Sequence, residues 1–207
     1  MNKDLLAATA IVLTFAMFVP YIRSIRNGRT RPHAISWIIW TLGTFVVFVA
    51  QIADGAGAGA WPVGVSGLLT AYVAVLAYSR RTDTSTTRTD WVFLALAAIA
   101  LPAWLLTSSP LLAVALLTGV ELAGFGPTFR FAFTHPYDER VGFYSLGAVR
   151  NVLTVAALEH YSLTTALFPA AKGIVCVLLV AMIGYRRMCA RRADAMRSSH
   201  SLAARIE

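Results

Sequence analysis

Phe18-Val19-Pro20-Tyr21-Ile22-Arg23 and Phe125-Gly126-Pro127-Thr128-Phe129-Arg130 carry one pattern, Phe-x-Pro-x-x-Arg, 107 residues apart and each at the end of an apolar run. Each is followed by a polar loop and two further apolar runs, the last of which closes in an arginine pair, Arg80-Arg81 or Arg186-Arg187. At the same offset Trp37 aligns with Tyr144 and Thr44 with Asn151, and a one-residue shift brings Gly67 onto Gly173. The chain reads as one three-span unit written twice.

The composition says where such a unit lives. With 207 residues, 57% of them hydrophobic, and a mean hydropathy of +0.65, the chain is too apolar for a domain with a water-facing surface. A bilayer core of roughly 30 Å needs about 20 helical residues. Seven stretches qualify: 5–22, 34–53, 61–79, 91–106, 110–132, 141–159 and 164–184. The expected fold is therefore an all-α integral membrane protein, with residues 1–81 as the first three-helix repeat and 82–109 as a linker holding the fourth helix. Residues 110–187 form the second repeat and 188–207 a basic tail, either interfacial or disordered. Three spans reverse the side on which the chain emerges and one more restores it. The two triplets are thus expected as parallel repeats about an axis along the membrane normal, with a pathway between them.

Charge orients the chain, because Lys and Arg stay preferentially on the cytoplasmic side. With the N-terminus outside, the inner segments hold Arg23, Arg26, Arg29 and Arg31; Arg80, Arg81 and Arg88; Arg130 and Arg140; and the arginines from Arg186 onward. The outer segments hold only Lys3, while Arg150 and Lys172 fall inside spans. This split predicts an outside N-terminus and a cytoplasmic C-terminus in the plasma membrane. It also accounts for a net charge of +8 without nucleic acid. The first span ends in proline and arginine instead of a small-residue cleavage site, so it is read as a mature helix and not a secretory signal.

Three ionisable residues lie near the centres of spans in the second repeat: Glu121, Arg150 and Lys172. A charge at that depth costs roughly 2.5–3.5 kcal/mol on the insertion scale, so each is expected to face the bundle interior and find a partner. One carboxylate against two cations leaves a positive charge over, unless Lys172 is neutral or Glu159 reaches inward. Either Glu121 neutralises Arg150 or Lys172 and only fixes packing, or an anionic or zwitterionic solute supplies the missing charge. Asn151, beside Arg150, and Gly147, one turn earlier, give a small polar surface. Trp37 suits an interfacial anchor, and the deeper Trp40 a cavity wall. Pro20, Pro127 and Pro169 are candidate hinges, since each removes a backbone donor inside a span. The histidines and acids, Asp138-Glu139 included, fall in or beside loops or in the tail without metal or triad spacing, so neither enzyme nor cofactor is expected. Cys176, in a span, and Cys189, in the tail, are not expected to form a disulfide.

Three spans, a linker span and three spans, with Pro20-Tyr21-Ile22-Arg23 and Gly126-Pro127-Thr128-Phe129-Arg130 at the inner ends, resemble the SWEET, SemiSWEET and PQ-loop transporter superfamily. The family's Pro-Gln pair stands here as Pro20-Tyr21 and Pro127-Thr128. The resemblance implies alternating access with the prolines of the first and fifth spans as hinges. The family's sugar-contacting Pro-Asn-x-x-Gly stretch stands as Pro169-Ala170-Ala171-Lys172-Gly173, with Ala170 replacing the asparagine.

The expected function is transport or facilitation of a small polar, anionic or zwitterionic, solute through a central site. Arg150, Asn151, Lys172 and Trp40 would bind the solute, and Glu121 would balance charge or carry a proton. The expected partners are a small-molecule solute and the lipid bilayer, with a homo-oligomer left open. The alternative is a receptor, scaffold or accessory subunit on the same fold.

Overall fold

The structure is a computed structural model that describes residues 2–30, 32–80, 88–137 and 141–203. Among these it is helical and contains no strand. Helix α1 (Lys3–Arg26) starts at Asn2, whose side chain accepts hydrogen bonds from the Asp4 and Leu5 amides. It ends at Gly28, in the left-handed region at φ 71°, with the Arg29 amide reaching back to the Ser24 carbonyl. Helix α2 (Ala34–Ala53) and a 3-10 turn (Gly57–Ala60) lead into α3 (Trp61–Ser79), where Pro62 occupies the first turn, in which its missing N–H costs nothing. Then come α4 (Arg88–Thr107), α5 (Pro110–Gly124), α6 (Gly126–Thr134), α7 (Val141–Ala156) and α8 (Leu163–Ala203).

Six helical segments among the described residues are long and apolar enough to cross a membrane, with α5 and α6 counted together as Pro110–Thr134. Helix α7, apolar but only 16 residues long, is shorter than the others. The distribution of side chains matches that solvent. Leu5, Val12, Leu68, Val75, Leu105 and Ile174 are exposed, while Thr14, Thr44, Gln51, Glu121, Arg150, Asn151 and Thr154 are buried. Apolar outside and polar inside is the arrangement of a multi-pass membrane protein.

Helix α3 packs against both α1 and α2, and α8 against both α5 and α7. Between these groups α1 lies on α7 and α2 on α5, while α4 rests on α2 and α5. Small residues permit the close approaches. A Cβ on Gly147 would lie 3.1 Å from the Cys176 sulfur, and one on Gly173 would lie 3.3 Å from Asn151 Cβ, so α7 and α8 pack nearly backbone to backbone.

Three boundaries differ from the sequence expectation. The span expected at 110–132 is broken at Phe125, where the proline at 127 removes an amide that would have continued the α5 ladder. The span expected to end at 159 stops at Ala156, because residues 157–162 turn aside to meet the Gly57–Ala60 turn. The basic tail is not irregular: α8 continues through it to Ala203, over a segment with no glycine or proline and rich in the strong helix formers Ala, Arg and Met.

The duplicated arginine pairs have a physical role. Arg80 donates to the Ile25 and Arg26 carbonyls at 3.3 and 2.9 Å, at the end of α1. Arg186 donates to Phe133 O at 3.0 Å and Arg187 to Pro136 O at 2.9 Å, at and just beyond the end of α6. In both halves the last helix caps the carbonyl end of the first, where the helix dipole favours a cation. Arg81, Asp138 and Glu139 lie outside the described residues.

Candidate functional site

A partly open cavity of about 450 Å³ lies between the two groups of helices. Its walls come from both: Thr14, Trp40 and Ser66 on one side, Glu121, Arg150 and Lys172 on the other. In several cases both residues of a pair 107 apart in sequence border it. Trp37 and Tyr144 border the cavity, as do Phe18 and Phe125, and Thr44 and Asn151.

Glu121 and Arg150 are buried and Lys172 is partly exposed, and the three divide into a pair and a singleton. Lys172 Nζ donates to Glu121 Oε2 at 3.0 Å and stands 5.1 Å over the Phe168 ring. The other carboxylate oxygen, Glu121 Oε1, is buried without a hydrogen-bond partner. Arg150 is 5% exposed and forms no ion pair with any carboxylate among the described residues. It is held by neutral acceptors instead: Nε donates to Thr14 Oγ1 at 3.1 Å, one terminal nitrogen to Asn151 Oδ1 at 2.9 Å and the other to the Pro62 carbonyl at 2.5 Å. Asn151 is oriented for this by its own bond to Gly147 O at 2.8 Å. Glu159 does not reach inward. Its carboxylate accepts from the Ala58 amide at 3.1 Å, in the Gly57–Ala60 turn.

Arg150, Asn151, Lys172, Trp40 and Glu121 all border this one cavity. Trp37, read from sequence as an interfacial anchor, also borders it, stacked on Tyr21 at 5.3 Å and edge-on to Trp40 at 5.2 Å. Pro20 and Pro169 sit inside α1 and α8 and are not among the residues that border the cavity. Pro127 is the second residue of α6, and its side chain lies outside the described residues. Phe18, Phe125, Phe143 and Tyr144 also border the cavity, a role not assigned to them from sequence. The repeat offset held the signal, since it carries Trp37 onto Tyr144.

One end of the molecule is closed by a latch between the two halves. The Glu159 amide donates to Ala56 O at 3.0 Å, His160 Nδ1 lies 2.8 Å from Asp54 O, and the Ser162 hydroxyl donates to the Asp54 carboxylate. Lys3 Nζ donates to Leu158 O at 2.5 Å, and Gln51 Nε2 to Thr165 O at 2.6 Å. Gly59 is pressed so closely that a Cβ would lie 2.7 Å from the Leu158 nitrogen. No residue of this latch borders the cavity, which instead extends toward Tyr21, Pro32 and His33, beside the arginine-rich loop. No family model, curated protein or solved structure matches this chain.

Proposed function

We propose that this chain is a membrane transporter or facilitator of a small polar solute, anionic or zwitterionic. It would work by alternating access through a central site between two parallel three-helix bundles, α1–α2–α3 and α5/α6–α7–α8, joined by α4, in the plasma membrane with its N-terminus outside. The observation that carries this reading is the cavity itself. It lies between the halves, is bordered by buried charge, and extends toward one end of the molecule while the latch holds the halves together at the other. About 450 Å³ is within the range of small-molecule sites. The packing of α3 on α1 and α2, and of α8 on α5 and α7, supports the repeat and with it the resemblance to SWEET and PQ-loop transporters. Arg150, Asn151, Lys172 and Trp40 bind the solute, and Glu121, with one oxygen unpartnered, balances charge or carries a proton.

A scaffold needs no solute-sized space between its halves. The test is a thermal-shift screen of the purified protein against sugars, amino acids, nucleosides and organic anions. A ligand at 100 times its dissociation constant stabilises by about 2.7 kcal/mol. Stabilisation by one chemical class, abolished by Trp40→Ala, supports the site. Stabilisation that Trp40→Ala leaves intact places binding elsewhere.

A further inference from the structure

We infer that the solute is an organic monoanion with an apolar, planar body, its charged group on Arg150 and its body against the aromatic wall. This rests on the transport-site reading above and narrows it to one substrate class. Among the described residues, the Asp, Glu, Lys and Arg side chains that border the cavity are Glu121, Lys172 and Arg150. Glu121 and Lys172 cancel as an ion pair at 3.0 Å, so with histidine counted as neutral these described residues leave the cavity the single positive charge of Arg150. A monoanion neutralises it, a zwitterion or neutral solute leaves it, and a cation doubles it. A guanidinium has five N–H donors, and the three bonds to Thr14, Asn151 and Pro62 leave one on each terminal nitrogen.

Several of the polar groups that border the cavity are already committed, which disfavours a polyol. The Thr14 and Thr70 hydroxyls already donate to the carbonyls of Ala10 and Ser66. Asn151 is bonded through both its oxygen and its nitrogen. Much of what is left is ring: Phe18, Trp37, Trp40, Phe125, Phe143 and Tyr144. Such walls favour a flat apolar body over a hydrated one.

A matched series of probes tests this on the purified wild-type protein at constant ionic strength. Benzenesulfonate is the planar monoanion, benzenesulfonamide its neutral counterpart, benzylamine the cation, methanesulfonate the anion without the ring, and glucose the polyol. Benzenesulfonate should raise the thermal midpoint at concentrations at least about ten-fold below those of methanesulfonate, because the ring's burial is lost in the smaller ion. Benzenesulfonamide, benzylamine and glucose should have no effect. Trp40→Ala should remove the preference for benzenesulfonate over methanesulfonate, and Arg150→Met should abolish both responses; if Arg150→Met does not fold, the charge series on the wild type decides. Equal stabilisation by benzenesulfonamide, benzylamine or glucose, or none by benzenesulfonate, overturns the inference. Entry of labelled probe into proteoliposomes separates the two claims. Benzenesulfonate that binds but does not enter leaves the anion site standing and removes transport, whereas glucose entering in its place keeps transport and removes this substrate class.

Discussion

At the scale of single residues, the Glu121–Lys172 pair makes the sharpest demand. Lys172→Ala strands a carboxylate that is 6% exposed and already has one oxygen unpartnered. Removing one partner of a buried pair costs on the order of 3–5 kcal/mol. At roughly 2–4 °C per kcal/mol for a chain of this size, the thermal midpoint should fall by on the order of 10 °C. Adding Glu121→Gln to Lys172→Ala removes the stranded charge and should recover most of that loss. A double variant as unstable as the single one would mean that Lys172 stabilises by something other than this pair. That these three charges face one interior region was legible in the sequence, because none tolerates lipid at midspan. Which cation took Glu121 was not. Arg150 is held by Thr14, 136 residues away, and by a backbone carbonyl of Pro62, and neither contact leaves a mark in composition or spacing.

At the scale of elements, hydropathy and proline positions gave the spans, and the local features that override hydropathy set where they end. The small-residue stretch at 54–60 reads in isolation as an ordinary turn. Gly55 and Gly57 serve the turn itself, at φ 74° and 59°, but Gly59 makes sense only against Leu158, about a hundred residues on, whose backbone crowds the position where a side chain would stand. A contrast of two glycines checks this. Gly59→Ala must push the Leu158 backbone aside and should destabilise by about 1–3 kcal/mol. Gly119→Ala, inside α5 with nothing within 4 Å of its Cβ, should leave stability unchanged or raise it by roughly 0.5–1 kcal/mol. Denaturation midpoints of the two variants should move in opposite directions, and a Gly59→Ala protein as stable as wild type would show that the latch is not closed in solution.

At the scale of the whole molecule, residues that lie 107 apart in sequence, Trp37 with Tyr144 and Phe18 with Phe125, border one cavity, and Arg80 and Arg186 each reach the carbonyl end of a helix. The latch lies away from that cavity, and it is the part that must open if the cavity is to exchange sides. Ser66 borders the cavity, and Asp54 and Ser162 touch in the latch. A Ser66→Cys reporter in a background with Cys176 and Cys189 replaced by serine can be labelled with a membrane-impermeant maleimide from either face of oriented vesicles. Alternating access predicts labelling from both faces. Joining Asp54→Cys to Ser162→Cys by a disulfide should then abolish labelling from the latch face, while labelling from the arginine-rich face persists. A reporter reached only from the arginine-rich face, with or without the disulfide, would describe a fixed one-sided pocket and contradict a transporter.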